Sequence, residues 1–207
     1  MTIRNNSPLT NIFPEFKWKE LDPNAYREVY IRLENKGQYC SRTLEYLQEH
    51  RVKLGFLPQA YSGGGWTFLR NITLAPDETL DDPYTTTLII HEVFHLGQSI
   101  FSRLSVYGEL LAWQYQKQAY YEVSGKEIGE IGEAYSGKKD LWHQISVLSP
   151  EVRDDLAKAQ ELMKRIAEGY RSDCLPLYPL PKEIWYFLKQ GNLISAFAAI
   201  YNLVTCR

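Results

Sequence analysis

Two histidines and a glutamate, spaced as H-E-x-x-H, are the residues of this chain best placed to do chemistry. His91 and His95 lie one helical turn apart, so both imidazoles leave the same face of a helix and can bind one metal ion. Glu92 lies on the adjoining edge, where its carboxylate can reach a water molecule held by the metal. Neutral imidazole is a good zinc ligand, and zinc lowers the pKa of such a water to about 7. The motif therefore predicts metal-assisted hydrolysis with Glu92 as general base.

The segment around the motif has the features of a helix packed inside a domain. Asp82-Pro83 supplies an N-cap and a proline suited to the first helical position. Residues 85–101 follow with no proline and one glycine, which predicts a helix over that range. Its apolar sides are formed by Leu88, Ile89, Leu96 and Ile100. The alternative is a chance pair of histidines in a structural helix, and this context favours a metal site.

A third protein ligand must come from elsewhere in the chain. Six residues beyond His95 stands Phe101 rather than histidine, and Gln98 replaces an expected glycine, which excludes the metzincin pattern. Glu109, at the start of the next predicted helix, is the natural candidate.

Helix geometry supports Glu109. If the chain reverses near residues 102–105, His95 and Glu109 each lie about 10 Å along antiparallel helices from the bend, at about 1.5 Å per residue. Ser105 is the expected N-cap of the second helix. The alternative is that Glu109 is a solvated first-turn acid that only favours the helix dipole.

The motif at residues 91–95, followed by Glu109-x-x-Ala112, resembles the gluzincin branch of the zincin metallopeptidases. The resemblance covers residues 40–122 and implies Zn²⁺ as cofactor, Glu109 as third zinc ligand and Ala112 as a small residue between close helices. Trp113 stands where thermolysin-like forms have an aspartate, so the hydrogen bond that orients a ligand histidine must come from another residue. The expected activity is that of a zinc-dependent metallopeptidase with a peptide or small amide as substrate.

Two other functions stay open: a non-catalytic metal-binding or regulatory protein on the same scaffold, and a hydrolase of non-peptide amides. Glu92 argues against the first, because a structural zinc site is ordinarily closed by a fourth ligand and needs no such carboxylate. As a histidine or tyrosine does in many gluzincins, His143 could stabilise the developing oxyanion as a second catalytic residue, or be an ordinary helix histidine. The weaker candidates for that role are Tyr107, Tyr120 and Tyr121.

A small sheet is predicted before the motif. Residues 51–57 and 66–74 have strand patterns, and Gly63-Gly64-Gly65 reads as a loop between them. In zincins an edge strand pairs with the extended substrate, so the resemblance implies that role for residues 66–74. The alternative is an ordinary half-buried strand.

Helices are predicted on both sides of this core. Beyond the motif helix and the ligand helix, they cover residues 23–35, 41–49 after a break at Gly37, a long stretch from Ser149-Pro150, 183–190 and 192–205, with a prolyl loop at 174–181. The fold class is therefore α+β, a mostly helical zincin-like domain with a small N-terminal sheet. We expect one domain over residues 1–207, with a core at about 22–122 and a helical extension at about 123–207. The apolar last helix is expected to close the core or a dimer interface.

Composition limits the partners. A net charge of −2 and the lack of a basic run argue against nucleic acid and anionic membranes as partners. No segment has the roughly 18 apolar residues needed to span a bilayer, and the N-terminus does not resemble a signal peptide, so we expect a cytoplasmic protein. Cys40, Cys174 and Cys206 are expected to be reduced thiols, with a Cys174–Cys206 bridge as the alternative.

Overall fold

The computed structural model describes residues 19–56, 64–66, 71–74, 80–126 and 176–205. In these ranges the fold is α+β, mostly helical with one small sheet. The elements are β1 (Lys19–Glu20), α1 (Pro23–Leu33), α2 (Gln38–His50), β2 (Lys53–Phe56), β3 (Gly64–Trp66), β4 (Asn71–Leu74), α3 (Pro83–Gly97), α4 (Ile100–Arg103), α5 (Val106–Ser124), α6 (Leu180–Lys189) and α7 (Leu193–Thr205). The predicted long helix after Ser149-Pro150 lies outside the described residues.

The chain divides into two compact units. One comprises Met1–Val93 with Glu122–Ser124, and the other comprises Phe94–Tyr121 with Gly125–Arg207. A single domain over residues 1–207 stays a prediction. Within the described ranges, no helix combines the length and the apolar character needed to cross a membrane.

The first two helices begin where polar groups satisfy their free amides. The Asp22 carboxylate accepts hydrogen bonds from the amides of Asn24 and Ala25, both at 2.9 Å, which confirms the predicted start of α1. Helix α2 begins at Gln38, earlier than the predicted residue 41. The reason lies far along the chain, because the Glu122 carboxylate accepts from the first amides of this helix and replaces a local cap.

The sheet has the strand order β1-β2-β4-β3, with β2 parallel to β4 and β3 antiparallel to β4. The prediction of one edge strand over residues 66–74 is therefore wrong: β3 ends at Trp66, and β4 lies inside the sheet. Ile72, Thr73 and Leu74 are all buried, as expected for a strand whose sheet is covered on both faces.

The predicted loop is also wrong for the last two glycines of the run. Gly64 and Gly65 belong to β3 rather than to a loop, because they pair with Leu74 and Thr73 of β4. A hydrogen-bonded antiparallel partner thus overrides the turn preference of consecutive glycines. Among the described strands, β1 and β3 form the two edges.

Helix α3, which carries the motif, begins as predicted and ends earlier. The Asp82 carboxylate accepts from the Tyr84 amide at 3.2 Å, and every residue from Thr85 to Val93 is buried. The helix stops at Gly97 instead of residue 101. There Arg103 donates to the carbonyls of Leu96 at 3.0 Å and Gln98 at 2.8 Å, so a guanidinium satisfies the end of the helix.

A short helix and a serine cap lead from α3 into α5. Ser99 caps α4, and the Ser105 hydroxyl accepts from the Gly108 amide at 3.1 Å, which confirms the predicted N-cap of α5. The amides of Val106 and Tyr107 donate to the carbonyls of residues 176 and 177, each at 2.9 Å. The first turn of α5, which holds Glu109, is therefore fixed by hydrogen bonds at three successive residues.

The last two helices differ from expectation mainly in burial. Helix α6 begins at Leu180, three residues before the predicted start, with Pro181 in its first turn. Helix α7 matches its predicted range closely, and Ala196 and Ala199 are buried. Several of its large apolar side chains are exposed and so do not close a core within the described residues, while the alternative expectation of a dimer interface stays a prediction; they are Leu193, Ile194, Phe197, Tyr201 and Val204.

Candidate metal centre

Helices α3 and α5 bring together the three residues that the sequence indicates as metal ligands. One ligand atom from each of His91, His95 and Glu109 lies within 4.8 Å of the others. His95 Nε2 is 3.1 Å from Glu109 Oε1. Ligand atoms about 2.1 Å from a tetrahedral zinc ion lie about 3.4 Å from one another, so the donor atoms fit one ion.

The two histidines are more deeply buried than the carboxylate. His91 is 5% exposed and His95 is 1% exposed, whereas the Glu109 side chain is 22% exposed. Because neither imidazole is open to bulk water, an ion held by this cluster would meet solvent or substrate from the carboxylate side. Two imidazoles and one carboxylate also leave a fourth position of a tetrahedral ion free for another group, as in catalytic zinc sites.

Glu92 occupies the position next to His91 on α3 and is 5% exposed. Carboxylates are rarely this buried, since moving the charged form away from water costs free energy unless nearby groups compensate. The next helical position places this carboxylate on the edge of the ligand face. A buried carboxylate therefore lies next to the candidate metal ligands on the helix and away from bulk solvent.

Gln98 joins the two helices at the site. Its side-chain oxygen lies 2.9 Å from His95 Nδ1, and its side-chain nitrogen donates to the Gly108 carbonyl at 3.1 Å. It thus contacts one ligand directly and the backbone next to Glu109. In the sequence, Gln98 serves only to exclude the metzincin pattern, although a polar side chain three residues after a candidate ligand is a usable signal for a residue that orients it.

Gly108 permits the close approach of the chain just before Glu109. A Cβ at this position would lie 1.9 Å from the Ser102 carbonyl oxygen, which is backbone and has little freedom to move. Ala112, one turn later, is fully buried. The resemblance implied the small residue at 112, whereas the need for glycine at 108 becomes clear only from the position of Ser102.

Comparisons with models of known protein families, with curated proteins and with solved structures found no match to this chain. The resemblance to gluzincins remains a prediction.

The other sequence candidates within the described residues are Tyr107, Tyr120 and Tyr121. His143 lies outside the described residues. Tyr107 stacks on Tyr178 with ring centroids 5.2 Å apart, and Tyr121 is 59% exposed. His50, the remaining histidine, is the last residue of α2, with its ring centroid 4.2 Å from that of Tyr46.

Proposed function

We propose that this protein is a zinc-dependent hydrolase of the gluzincin type, and specifically a metallopeptidase. The observation that carries the proposal is the convergence of His91, His95 and Glu109 within 4.8 Å on two separate helices. A cluster of three protein ligands suits a catalytic ion better than a structural one, since structural zinc is ordinarily closed by a fourth ligand. The order of helices, small sheet, motif helix and ligand helix also agrees with a zincin-like fold.

When bound, zinc would act as a Lewis acid toward the substrate carbonyl and would lower the pKa of an attacking water. Glu92 is the general base in this proposal. Its carboxylate takes a proton from the water as the water oxygen bonds to the carbonyl carbon. It then delivers that proton to the leaving nitrogen as the carbon–nitrogen bond breaks. His91, His95 and Glu109 hold the ion, and their helices fix its position relative to Glu92.

The sheet supports a peptide as the substrate class. Among the described strands, β3 pairs with β4 alone and so leaves an edge to which an extended peptide can add. Gly64 and Gly65 in this strand carry no side chain, which allows another backbone to approach closely. Main-chain pairing of this kind would bind peptides with little sequence preference.

The first test is elemental analysis of protein purified without added metal and without a histidine tag. We expect about one zinc ion per chain, lost in the His91→Ala/His95→Ala variant. In a peptide-library cleavage screen, we expect Glu92→Gln to keep its zinc and to lose about 10²- to 10⁴-fold in rate, the usual contribution of a general base. The conservative amide preserves size, so it is the matched control for loss of the proton acceptor alone.

Two results would overturn the proposal. Absence of metal in both proteins, even after zinc titration, would make the motif a coincidence. Zinc binding with no cleavage of any peptide would instead leave a metal-binding protein or a hydrolase of other amides.

A further inference from the structure

We propose that Gln98 is a positioning residue of the metal centre. Its contact with His95 Nδ1 holds the imidazole in the tautomer that presents Nε2 as the ligand atom. Its contact with the Gly108 carbonyl connects that imidazole to the backbone beside Glu109. This inference rests on the proposed function, in which His95 and Glu109 bind the metal. It concerns a residue that the gluzincin resemblance does not assign.

The direction of the Gln98 amide is fixed by its two contacts. The Gly108 carbonyl can only accept, so the group 3.1 Å from it must be the amide nitrogen of Gln98. The amide oxygen therefore faces His95 Nδ1, 2.9 Å away. Because that oxygen can only accept, His95 Nδ1 must carry a proton.

This tautomer determines what faces Glu109. In the neutral ring with Nδ1 protonated, Nε2 is a lone-pair acceptor, and it lies 3.1 Å from Glu109 Oε1. Two acceptors at that separation repel each other unless a proton or a metal ion lies between them. A metal ion satisfies both atoms at once, and the protein has set the ring for it in advance.

The backbone of Gln98 is held as firmly as its side chain. Arg103 donates to the Gln98 carbonyl at 2.8 Å, so the residue cannot swing away without breaking this contact. The Gly108 carbonyl it binds belongs to the residue immediately before Glu109. Gln98 thus links the orientation of one ligand to the location of the other, and outer contacts of this kind typically change metal affinity about 10- to 100-fold.

The test compares three variants in the full chain: Gln98→Met, Gln98→Glu and, as a control, Gln118→Met. Methionine keeps the length but removes both polar contacts, while glutamate keeps the acceptor for His95 and loses the donor to Gly108. Gln118 is an exposed glutamine on α5 outside the cluster, so it controls for the substitution itself. The probes are the zinc dissociation constant, from competition with a chromophoric chelator, and the His95 tautomer, from long-range ¹H–¹⁵N NMR spectra of metal-free protein.

We expect Gln98→Met to weaken zinc binding about 10- to 100-fold and to let the neutral His95 ring take the Nε2–H tautomer. Gln98→Glu should keep Nδ1 protonated and weaken zinc binding less than Gln98→Met does, because it loses only the contact with the Gly108 carbonyl, and Gln118→Met should change nothing. A purely structural role for Gln98 would lower the unfolding temperature without changing the tautomer. That result, or an Nε2–H tautomer in wild type, would overturn the inference.

Failure of the proposed function and failure of the role of Gln98 give different results in these measurements. If wild type binds no zinc, the hydrolase proposal fails, and the tautomer in metal-free protein still decides whether Gln98 orients His95. If wild type binds zinc and Gln98→Met binds it equally with an unchanged tautomer, the metal centre stands and the role of Gln98 is wrong. If Gln98→Met does not fold, the wild-type tautomer and the Gln98→Glu affinity decide the question.

Discussion

Helix α5 carries two glutamates, one near each end, and their partners differ in kind. Glu109, in the first turn, lies 3.1 Å from His95 Nε2. Glu122, in the last turn, accepts hydrogen bonds from the amides of Tyr39 and Cys40, both at 3.1 Å. The second carboxylate caps α2, whose N-terminal amides and dipole favour an anion.

The difference shows what separates a structural carboxylate from a candidate ligand on the same helix. Backbone amides bring their own protons, so the contacts of Glu122 are complete without any further ion. A carboxylate facing an imidazole nitrogen needs a proton or a metal ion between the two atoms. Residue type and helix are the same in both cases, and the partner atom decides the role.

The largest expected effect that separates the two glutamates is on zinc affinity. Structural zinc sites of four ligands bind with an apparent 10 to 16 kcal/mol, or about 3 kcal/mol per ligand. We therefore expect Glu109→Ala to weaken zinc binding about 100-fold, at about 1.4 kcal/mol per factor of ten. Glu122→Ala should bind zinc as wild type does. Equal affinities in wild type and Glu109→Ala, measured by chelator competition, would show that Glu109 is a solvated helix acid instead.

The next effect is on the free energy of unfolding, which Glu122→Ala should lower more than Glu109→Ala does. We expect Glu122→Ala to cost about 1 to 2 kcal/mol, the usual effect of losing a helix N-cap. Gly37 offers a way to sharpen this test, because a Cβ there would lie 2.1 Å from the Glu122 carboxyl carbon. Gly37→Ala should displace the carboxylate and lose a similar free energy in wild type.

In the Glu122→Ala background, the same Gly37 substitution should cost almost nothing, since the obstructing side chain is gone. The φ angle of Gly37 is 162°, which is extended backbone that alanine also adopts. The measurement is a double-mutant cycle by urea unfolding, with an expected coupling of about 1 kcal/mol. Additive costs would mean that Glu122 does not cap α2.

The smallest expected effect of Glu122 is on the pKa of Cys40, because burial of the thiol raises that pKa more than the carboxylate does. Burial and then Glu122 raise the pKa of this thiol from 9.0 to about 12. A raised pKa in the folded state means that the protonated thiol adds stability fully below pH 9.0 and that this contribution is lost as the pH rises toward 12.

The difference in unfolding free energy between wild type and Cys40→Ala should therefore shrink as the pH increases through this range. The shrinkage should be weaker in the Glu122→Ala background, where one cause of the raised pKa is removed. A difference that stays constant with pH would show that the thiol has an ordinary pKa in the folded protein.

Features that depend on a few neighbouring residues were predictable from the sequence. Asp22, Asp82 and Ser105 each cap the helix that follows them, because a side-chain oxygen bonds an amide two or three residues away. The pairing of His91 with His95 depends only on the helical repeat. Glu109 needed one more step, the reversal of the chain between the two helices, and the positions of the helix ends differed from those expected.

Features that depend on distant parts of the chain were not predictable. Residues 66–74 read as one strand, yet parallel pairing of β4 with β2 and antiparallel pairing with β3 divide this range and put β4 inside the sheet. The cap of α2 comes from Glu122, more than 80 residues further on. No local sequence pattern predicts such partners, because both strand pairing and this cap depend on which distant segments meet.

The amino-acid sequence by itself determined that His91, Glu92 and His95 could bind a metal and accept a proton, since one helical turn imposes their spacing. Tertiary structure alone decided how the ligands are supported. Gln98 reaches both His95 and the Gly108 carbonyl only because the chain turns tightly between α3 and α5, and that turn requires glycine at 108. Local spacing determines which side chains share a helix face, whereas the orientation of a ligand ring depends on contacts between helices.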